Sequence, residues 1–524
     1  METIVYFGAD RPGGDPMGLL DRPNSRSVDG ITVSVSFGAS PIRRERRFVS
    51  FSDAEAAAKF IEDHPVHALV LDTRSAPFVS RAENSTYPGS FYASPAGQLL
   101  VRLFPDTHVS WALPRERVIP IVAEDRDATD AAYQLGGYRM GAVLVSPTLA
   151  EVFARLEPFF TRRGAGRIAL CLAGGGIEGM LYEIGVLRAL ETFLKDRAVI
   201  DFDLFCGISA GAVIGSFLAN GVGPNELSLG LLGKSQRVSP ITKAQLFDPN
   251  VKEVSERSMQ LLREFLRGGS GPRGIVSSLA RATPSAAFAG NGLRAWLEQQ
   301  LTRPGMSIRF DQLRRPLFVG ATDQDTSEHV VFGEAGTKHV PIHRAVRASA
   351  AMTPVYTPEL IDGRYYIDGA FSRTTNMRVA VNHGATLVIL VDPLVPVYSR
   401  KGGYVHSRGG IFGAMQGLKG IINGRFDKAI RAIRDMHPDV MFHLFRPERE
   451  EMRILSGSPM KYFFRREVEE IAFESTTAKI RSMLPTLTRD FAQHGVTFRD
   501  PATQKSDRAR VSPVFEPRSL GIGV

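Results

Sequence analysis

Phe202-Asp203-Leu204-Phe205-Cys206-Gly207-Ile208-Ser209-Ala210-Gly211 is the stretch that decides how this chain is read. A largely apolar run, Phe202 to Ile208, meets a serine set between Gly207 and Gly211. A strand that turns sharply into a helix at such a point lifts the serine hydroxyl out of the sheet, where it can attack a carbonyl. The pattern G-x-S-x-G alone is common, because Gly, Ser and Ala are common residues. Its weight here comes from a glycine cluster before it and an aspartate after it.

Upstream, Ile168-Ala169-Leu170-Cys171-Leu172-Ala173 reads as a buried strand. Gly174-Gly175-Gly176-Ile177-Glu178-Gly179 follows, then a helix carrying apolar Met180, Leu181, Ile184, Val186 and Leu187. Glycines at that turn let backbone N–H groups face outward at a helix N-terminus, which suits an anion. Two readings compete. The six residues fit G-x-G-x-x-G, and Asp201 and Asp203 follow at the spacing of a ribose-binding acid, which would make the protein a dinucleotide-binding oxidoreductase. Asp203, however, opens the strand that leads to Ser209 instead of closing one. The preferred reading is an oxyanion hole: adjacent strands bring the amides of Gly174, Gly175 and Gly176 beside Ser209, where donors stabilise a tetrahedral intermediate.

Downstream, Leu360-Ile361-Asp362-Gly363-Arg364-Tyr365-Tyr366-Ile367 reads as a hairpin that ends in Asp368-Gly369-Ala370. Asp-Gly after a strand is most often only a turn, but the three motifs occur in one order. Together they resemble the patatin-like phospholipases, over roughly Ile168 to Pro393. The resemblance includes Ala321-Thr322-Asp323 followed by Val330-Val331-Phe332, the stretch from Ala348-Ser349 to Pro354, and Gly384-Ala385 leading to Val391-Asp392. It implies a three-layer α/β/α hydrolase fold and a Ser-Asp dyad that works without histidine. Carried over, Ser209 is the nucleophile, Asp368 its base, and Gly174, Gly175 and Gly176 lie on the oxyanion loop. The implied activity is hydrolysis of fatty acyl esters of phospholipids or lysophospholipids through an acyl-enzyme, with no cofactor and no metal. Glu178 stands where the family usually has Arg or Lys, which implies reduced activity or another substrate. The competing expectation is therefore a catalytically weak, lipid-binding regulatory or scaffold protein. A Ser-Asp-His order is also available through His383, His406 or His443. His383 reads instead as the end of a helix before Gly384, where a cation is favourable.

Length and composition set the frame. At 524 residues the chain can form two or three domains with well-buried cores. Hydrophobic residues at 43% and charged residues at 23% are those of an ordinary globular protein. Met1-Glu2-Thr3-Ile4 has no basic and apolar leader, and no apolar run approaches the length of a membrane span, so the expected place is the cytoplasm, peripheral at most to the inner face of the membrane. Cys171 and Cys206 lie in apolar strands and read as buried reduced thiols. The net charge of +9 favours polyanionic surfaces; basic residues are scattered, so a transient membrane surface is expected rather than nucleic acid. Homo-oligomers or a regulatory partner on the first domain complete the expected partners.

Residues 1–160 alternate strand and helix signals: strands at Thr3–Gly8, Val66–Leu71, Val118–Ala123 and Ala142–Val145, and helices at Ser52–Asp63, Ala128–Leu135 and Thr148–Phe160. This predicts a smaller flavodoxin- or receiver-like α/β regulatory or docking domain with a parallel sheet. The order is similar to response-regulator receivers, with Asp72 at the phospho-acceptor place and Asp10 after the first strand. It is a degenerate likeness, because Ser146-Pro147 and Ala123 replace the expected Lys-Pro and Ser/Thr, and Gly/Pro/Arg-rich sequence replaces the first helix. Arg162 to Arg167 reads as a linker, and 161–396 as the catalytic core. Within that core, Gln236 to Gly290 is an insertion interrupted by the glycine-rich Gly268–Gly274, a candidate flap. Residues 397–500 read as a helical extension packed on the core, in which Ile411 to Arg434 is amphipathic and expected to pack rather than to lie in a membrane interface. Residues 501–524 read as a loosely ordered tail.

Overall fold

The computed structural model describes residues 2–8, 26–27, 30–36, 45–64, 66–74, 94–104, 113, 115–124, 135, 140, 143–156, 166–266, 285–399, 402–437, 439–447 and 465–499. Asp10, the first seven residues of the Ala128–Leu135 helix, most of the 162–167 linker, the Gly268–Gly274 stretch and the tail lie outside them.

The described residues hold two sheets, so the α/β class read from the sequence is the one observed. In the first, β1 (Glu2–Phe7), β4 (Glu45–Phe51), β5 (Ala68–Asp72), β6 (Val118–Val122) and β7 (Leu144–Val145) are parallel, in the order β4-β1-β5-β6-β7. That is the 2-1-3-4-5 order of doubly wound sheets of the flavodoxin type. Helices α1 (Ala54–Asp63) and α2 (Pro95–Leu103) cover one face, and α3 (Leu149–Leu156) supplies Val152 and Leu156 to the other. Where the sequence showed no first helix, β3 (Gly30–Ser36) pairs antiparallel with β4, and β2 (Arg26–Ser27) pairs antiparallel with β3. The alternation in Ile31-Thr32-Val33-Ser34-Val35-Ser36 is the period-2 signal for that strand.

The second sheet runs β12-β13-β10-β9-β8-β14-β15, with β11 paired to β10. Its parallel centre is β10 (Leu317–Asp323), β9 (Leu204–Ile208), β8 (Arg167–Leu172), β14 (Ala385–Val391) and β15 (Met441–Phe445). Its antiparallel side is β11 (His329–Phe332), β12 (Glu359–Ile361) and β13 (Arg364–Asp368). Side chains alternate between two cores, as a strand requires. Ile168, Leu170 and Leu172 enter the core shared with α4 (Gly176–Phe193) and α5 (Ala210–Ala219), whereas Ala169 and Cys171 enter the core on the opposite face. Cys171 and Cys206 oppose each other on β8 and β9, both buried and free.

Helix α6 (Pro224–Leu231) precedes the insertion, which contributes α7 (Lys243–Leu246) and α8 (Val251–Leu266), and α9 (Asn291–Leu301) follows it. Next come α10 (Ile342–Ser349) and α11 (Met377–Asn382). The last part of the chain forms α12 (Gly410–Met436), α13 (Arg465–Ser482) and α14 (Leu484–Ala492). It is not helical throughout: β15 joins the central sheet beside β14. Helix α12 sends Phe426, Ile430 and Ile433 into the second core.

At the start of α14's last turn, Asp490 is buried between Arg489 and the His443 ring of β15 (2.9 Å). Burial alone would raise its pKa; the Arg489 and His443 partners more than offset that and hold the carboxyl well below the usual range. Arg489 also donates to the Val66 carbonyl, and Arg117 to the His67 carbonyl (3.0 Å), so this cluster joins α14 to the loop before β5. Asp490→Ala leaves a buried guanidinium without its carboxylate and is expected to cost about 3–5 kcal/mol, read by urea unfolding at neutral pH. With a depressed folded-state pKa, the Asp490 contribution is present above the unfolded carboxylate range and fades as pH falls below it.

Candidate active site

Ser209 sits between β9 and α5 with φ 54° and ψ −119°. A non-glycine residue there is strained, by about 1–3 kcal/mol, and the surrounding structure has to hold it. Two contacts do so. The Ser209 N–H donates to Ser349 Oγ at 2.9 Å, and that hydroxyl donates to the Gly320 carbonyl at 2.5 Å. On the other side the Gly211 N–H donates to the Ala173 carbonyl at 3.0 Å. Gly211 has to be glycine: a β-carbon would lie 2.5 Å from the Leu172 carbonyl oxygen and 2.6 Å from that of Ala173. The elbow is thus pressed onto the end of β8.

Register brings the remaining groups in. Leu172 pairs with Gly207 across β8 and β9, so the Gly174–Gly176 loop and Ser209 leave neighbouring strands at the same sheet end. A β-carbon on Gly174 would stand 3.1 Å from Ser209 Cβ and 3.7 Å from its Oγ. Helix α4 starts at Gly176 and α5 at Ala210, so two helix N-termini face this point, and their partial positive charge favours an anion there. On the far side, Gly320 pairs with Ile208 and Ala321 pairs with Asp368, which sets Asp368 level with Ser209 across β10.

Asp368 is 0% exposed and Ser209 is 7% exposed. The Ala370 N–H donates to Asp368 Oδ1 at 2.9 Å; Oδ2 is buried and makes no full hydrogen bond. Burial pushes the Asp368 carboxyl up to about 7, against the opposing pull of the Ala370 amide and the neighbouring Ser209 hydroxyl. The Ser209 hydroxyl is therefore close enough to act on the carboxyl without being tightly bonded to it. Such a pair can pass a proton from hydroxyl to carboxylate as the oxygen attacks an acyl carbon. If the carboxylate form is the working base, ester hydrolysis should rise with pH and reach half its plateau near pH 7, with kcat/KM falling about tenfold per pH unit below that. A kcat/KM profile on a soluble ester checks this; a limb near pH 4 would remove the assignment.

Two of the three histidines weighed in the sequence are engaged elsewhere. His383 caps α11 and bonds Glu334 (2.9 Å), His443 bonds Asp490, and His406 lies in a short turn at 406–408. His329, not singled out in the sequence, bonds Ser372 Oγ (2.7 Å) and Asn376 Oδ1 (2.8 Å) through its two ring nitrogens. Burial holds its pKa down at about 4, so it is neutral and buttresses the turn after Asp368. Asp203 accepts from the Ile168 N–H (2.8 Å) at the opposite end of the strands from Ser209, so it is remote from the glycine loop that a dinucleotide would use. Glu178 lies in the first turn of α4, where it exerts an attraction on Lys419 of α12 that opposes the lowering of the ammonium pKa by burial. Ser349 and α12 are the parts of the site that sequence reasoning gave no role.

In the first sheet, Asp72 ends β5 and its oxygens are taken by neighbours. Tyr6 Oη donates at 2.5 Å, and the Arg74 guanidinium at 2.9 Å through Nε and 2.5 Å through Nη2. Burial would raise its pKa, but these partners hold the carboxyl below the usual value.

This is an α/β/α fold with a strand–serine–helix elbow, a glycine-rich helix entry and a buried aspartate at one sheet end. Residues 170–381 match the family model described as patatin-like phospholipase, and the chain carries a domain of that family. Among solved structures it is similar to VipD from Legionella pneumophila, at 13% identity and a TM-score of 0.29, covering 61% of this chain and 67% of that one. It is also similar to the type III effector ExoU, at 14% identity and a TM-score of 0.24, covering 66% of this chain and 59% of that one. A complex of full-length SpcU with full-length ExoU from the type III secretion system of Pseudomonas aeruginosa gives 12% identity and a TM-score of 0.25, with 62% and 53% covered. The chain thus spans between about half and two thirds of those neighbours. Among the described residues no helix is long and apolar enough to cross a membrane.

Proposed function

We propose that the protein is a lipid acyl hydrolase that cleaves fatty acyl esters of phospholipids or lysophospholipids through a Ser209–Asp368 dyad. The observation that carries this reading is the strained Ser209 beside a fully buried Asp368 whose Oδ2 makes no full hydrogen bond among the described residues. Asp368 accepts the Ser209 proton as the hydroxyl oxygen attacks the ester carbonyl. The backbone of Gly174–Gly176 and the two helix N-termini stabilise the oxyanion, and the alcohol leaves with the returned proton. Water, activated by the same carboxylate, then attacks the acyl-enzyme and frees the fatty acid. None of these steps draws on a metal or a cofactor. The family match supports a lipid substrate. The net charge of +9 supports a transient encounter with an anionic membrane surface. Residues 1–160 serve, on this reading, as a regulatory or docking unit, a role supported by the cluster that ties α14 to the loop before β5.

The test is hydrolysis of a p-nitrophenyl ester and of mixed phospholipid vesicles by the full chain, with and without chelator, together with labelling by a fluorophosphonate. Chelator-insensitive fatty acid release and labelling at Ser209 are expected. Vesicle binding without release or labelling would favour the scaffold reading over the enzyme.

A further inference from the structure

We propose that α12 is a strap across the active site and that Arg425 on it is a positioning residue for Asp368. The inference rests on the dyad reading above. Helix α12 lies wholly beyond the 170–381 family match, yet it bonds the turn after Asp368 and packs on the residue before Ser209. At the aspartate half, Arg425 Nη2 donates to the Ala370 carbonyl at 2.8 Å and Nη1 to the Phe371 carbonyl at 2.7 Å. The Ala370 N–H in turn donates to Asp368 Oδ1. Ala370 is thus held at its amide by the base and at its carbonyl by the guanidinium. Gly369–Phe371 is a single 3-10 turn, and short turns leave carbonyls that need outside donors. A planar guanidinium offers two donors in fixed geometry, which orients two successive peptide groups together.

In the middle, buried Ile422 packs with Ile208, Ala370 and Leu394, so the strap rests on the residue before Ser209 and the residue two after Asp368. Its carbonyl accepts from Thr374 Oγ1 at 3.3 Å. At the oxyanion half, Lys419 is the α12 cation on which Glu178 acts. Beyond it, Gln416 exchanges two hydrogen bonds with the Val397 backbone, at 3.0 and 2.7 Å. Burial raises the Asp368 carboxyl and the Ala370 amide and the Ser209 hydroxyl lower it, with no charged side chain acting on it among the described residues. Arg425 therefore acts on the base through the position of Ala370 and not through its charge.

The experiment compares wild type, Arg425→Ala, Arg425→Lys, Lys428→Ala and Ser209→Ala in the full chain. It measures kcat and KM on a soluble p-nitrophenyl ester across pH, the rate of fluorophosphonate labelling, and Tm. Arg425→Ala is expected to lower kcat about 10- to 100-fold with KM little changed, the scale of a small misplacement of a reacting group. Its acid limb should move to higher pH, because a loosened Ala370 amide holds the carboxylate less well. Arg425→Lys should recover part of the rate, since an ammonium can reach one of the carbonyls. Lys428→Ala, exposed on the same helix, should match wild type. Wild-type kcat and an unmoved acid limb in Arg425→Ala would overturn the proposal. So would a fall in rate that tracks a fall in Tm, with no recovery in the lysine variant. Activity that survives Ser209→Ala removes the dyad reading itself, and the strap with it.

Discussion

Ser209→Ala is expected to reduce ester hydrolysis by at least about 10³-fold, and Asp368→Asn by a similar factor, while both proteins stay folded. The alanine removes the attacking oxygen. The asparagine keeps the Ala370 amide bond, because its amide oxygen can still accept, but it cannot take a proton. Loss in both with unchanged KM for residual turnover would mark them as members of one unit, and the double variant should then be little worse than either. The stability readout is the more discriminating one. An acid with a folded-state pKa near 7 instead of 3.8 is disfavoured as an anion by folding, so stability falls as pH rises through that interval. Asp368→Asn should therefore be more stable than wild type above pH 7, by a few kcal/mol at most, and should show no advantage below pH 4. Urea titrations at both pH values read this directly. An asparagine variant that is inactive and also destabilised at high pH would point to a structural aspartate.

The second large effect is expected at Gly211. Alanine there puts a methyl within 2.6 Å of two carbonyl oxygens of the β8 end, and both are backbone atoms that cannot rotate away. Overpacking of this kind costs about 1–3 kcal/mol and more where the backbone has to shift. The atoms that move, at Leu172 and Ala173, carry the Gly174 loop. Activity should therefore fall even in the fraction that folds, by about 10²-fold or more. Gly417→Ala on α12 is the control. A β-carbon at that position meets nothing within 4 Å, so the substitution should be neutral or stabilising by up to about 1 kcal/mol. Tm and specific activity of both variants check the pair. Gly211→Ala with wild-type activity would mean that the elbow is not held as described.

Much of this was legible in the chain because the requirements are local. A glycine on each side of Ser209 and three at the entry to α4 answer to backbone approach within a few residues, and such constraints are written where they act. Asp368 was readable only as one of a set, since Asp-Gly after a strand is ordinary. The register that sets it level with Ser209 depends on β10, which neither motif includes. Ser349 and Arg425 were out of reach for the same physical reason. Their bonds to Ser209 and Ala370 span 140 and 55 positions, and no periodicity encodes a contact of that kind. β3 was missed although its alternation is plain, because the glycine, proline and arginine residues around it masked the signal.

The pairing of β14 with β15 carries a consequence for where this chain can be divided. The family match ends at 381 and the motifs that carry the resemblance end by 393, yet the strand that seals the sheet is supplied by 441–445. A fragment ending at 396 would keep Ser209 and Asp368 and lay bare one whole side of β14, an apolar Ala385-Thr386-Leu387-Val388-Ile389-Leu390-Val391 with its ladder of N–H and C=O groups unmet. Such an edge is a template for pairing with other chains. The last quarter of the protein thus guards its solubility as well as its shape, and a minimal catalytic fragment has to be drawn by sheet closure and not by motif.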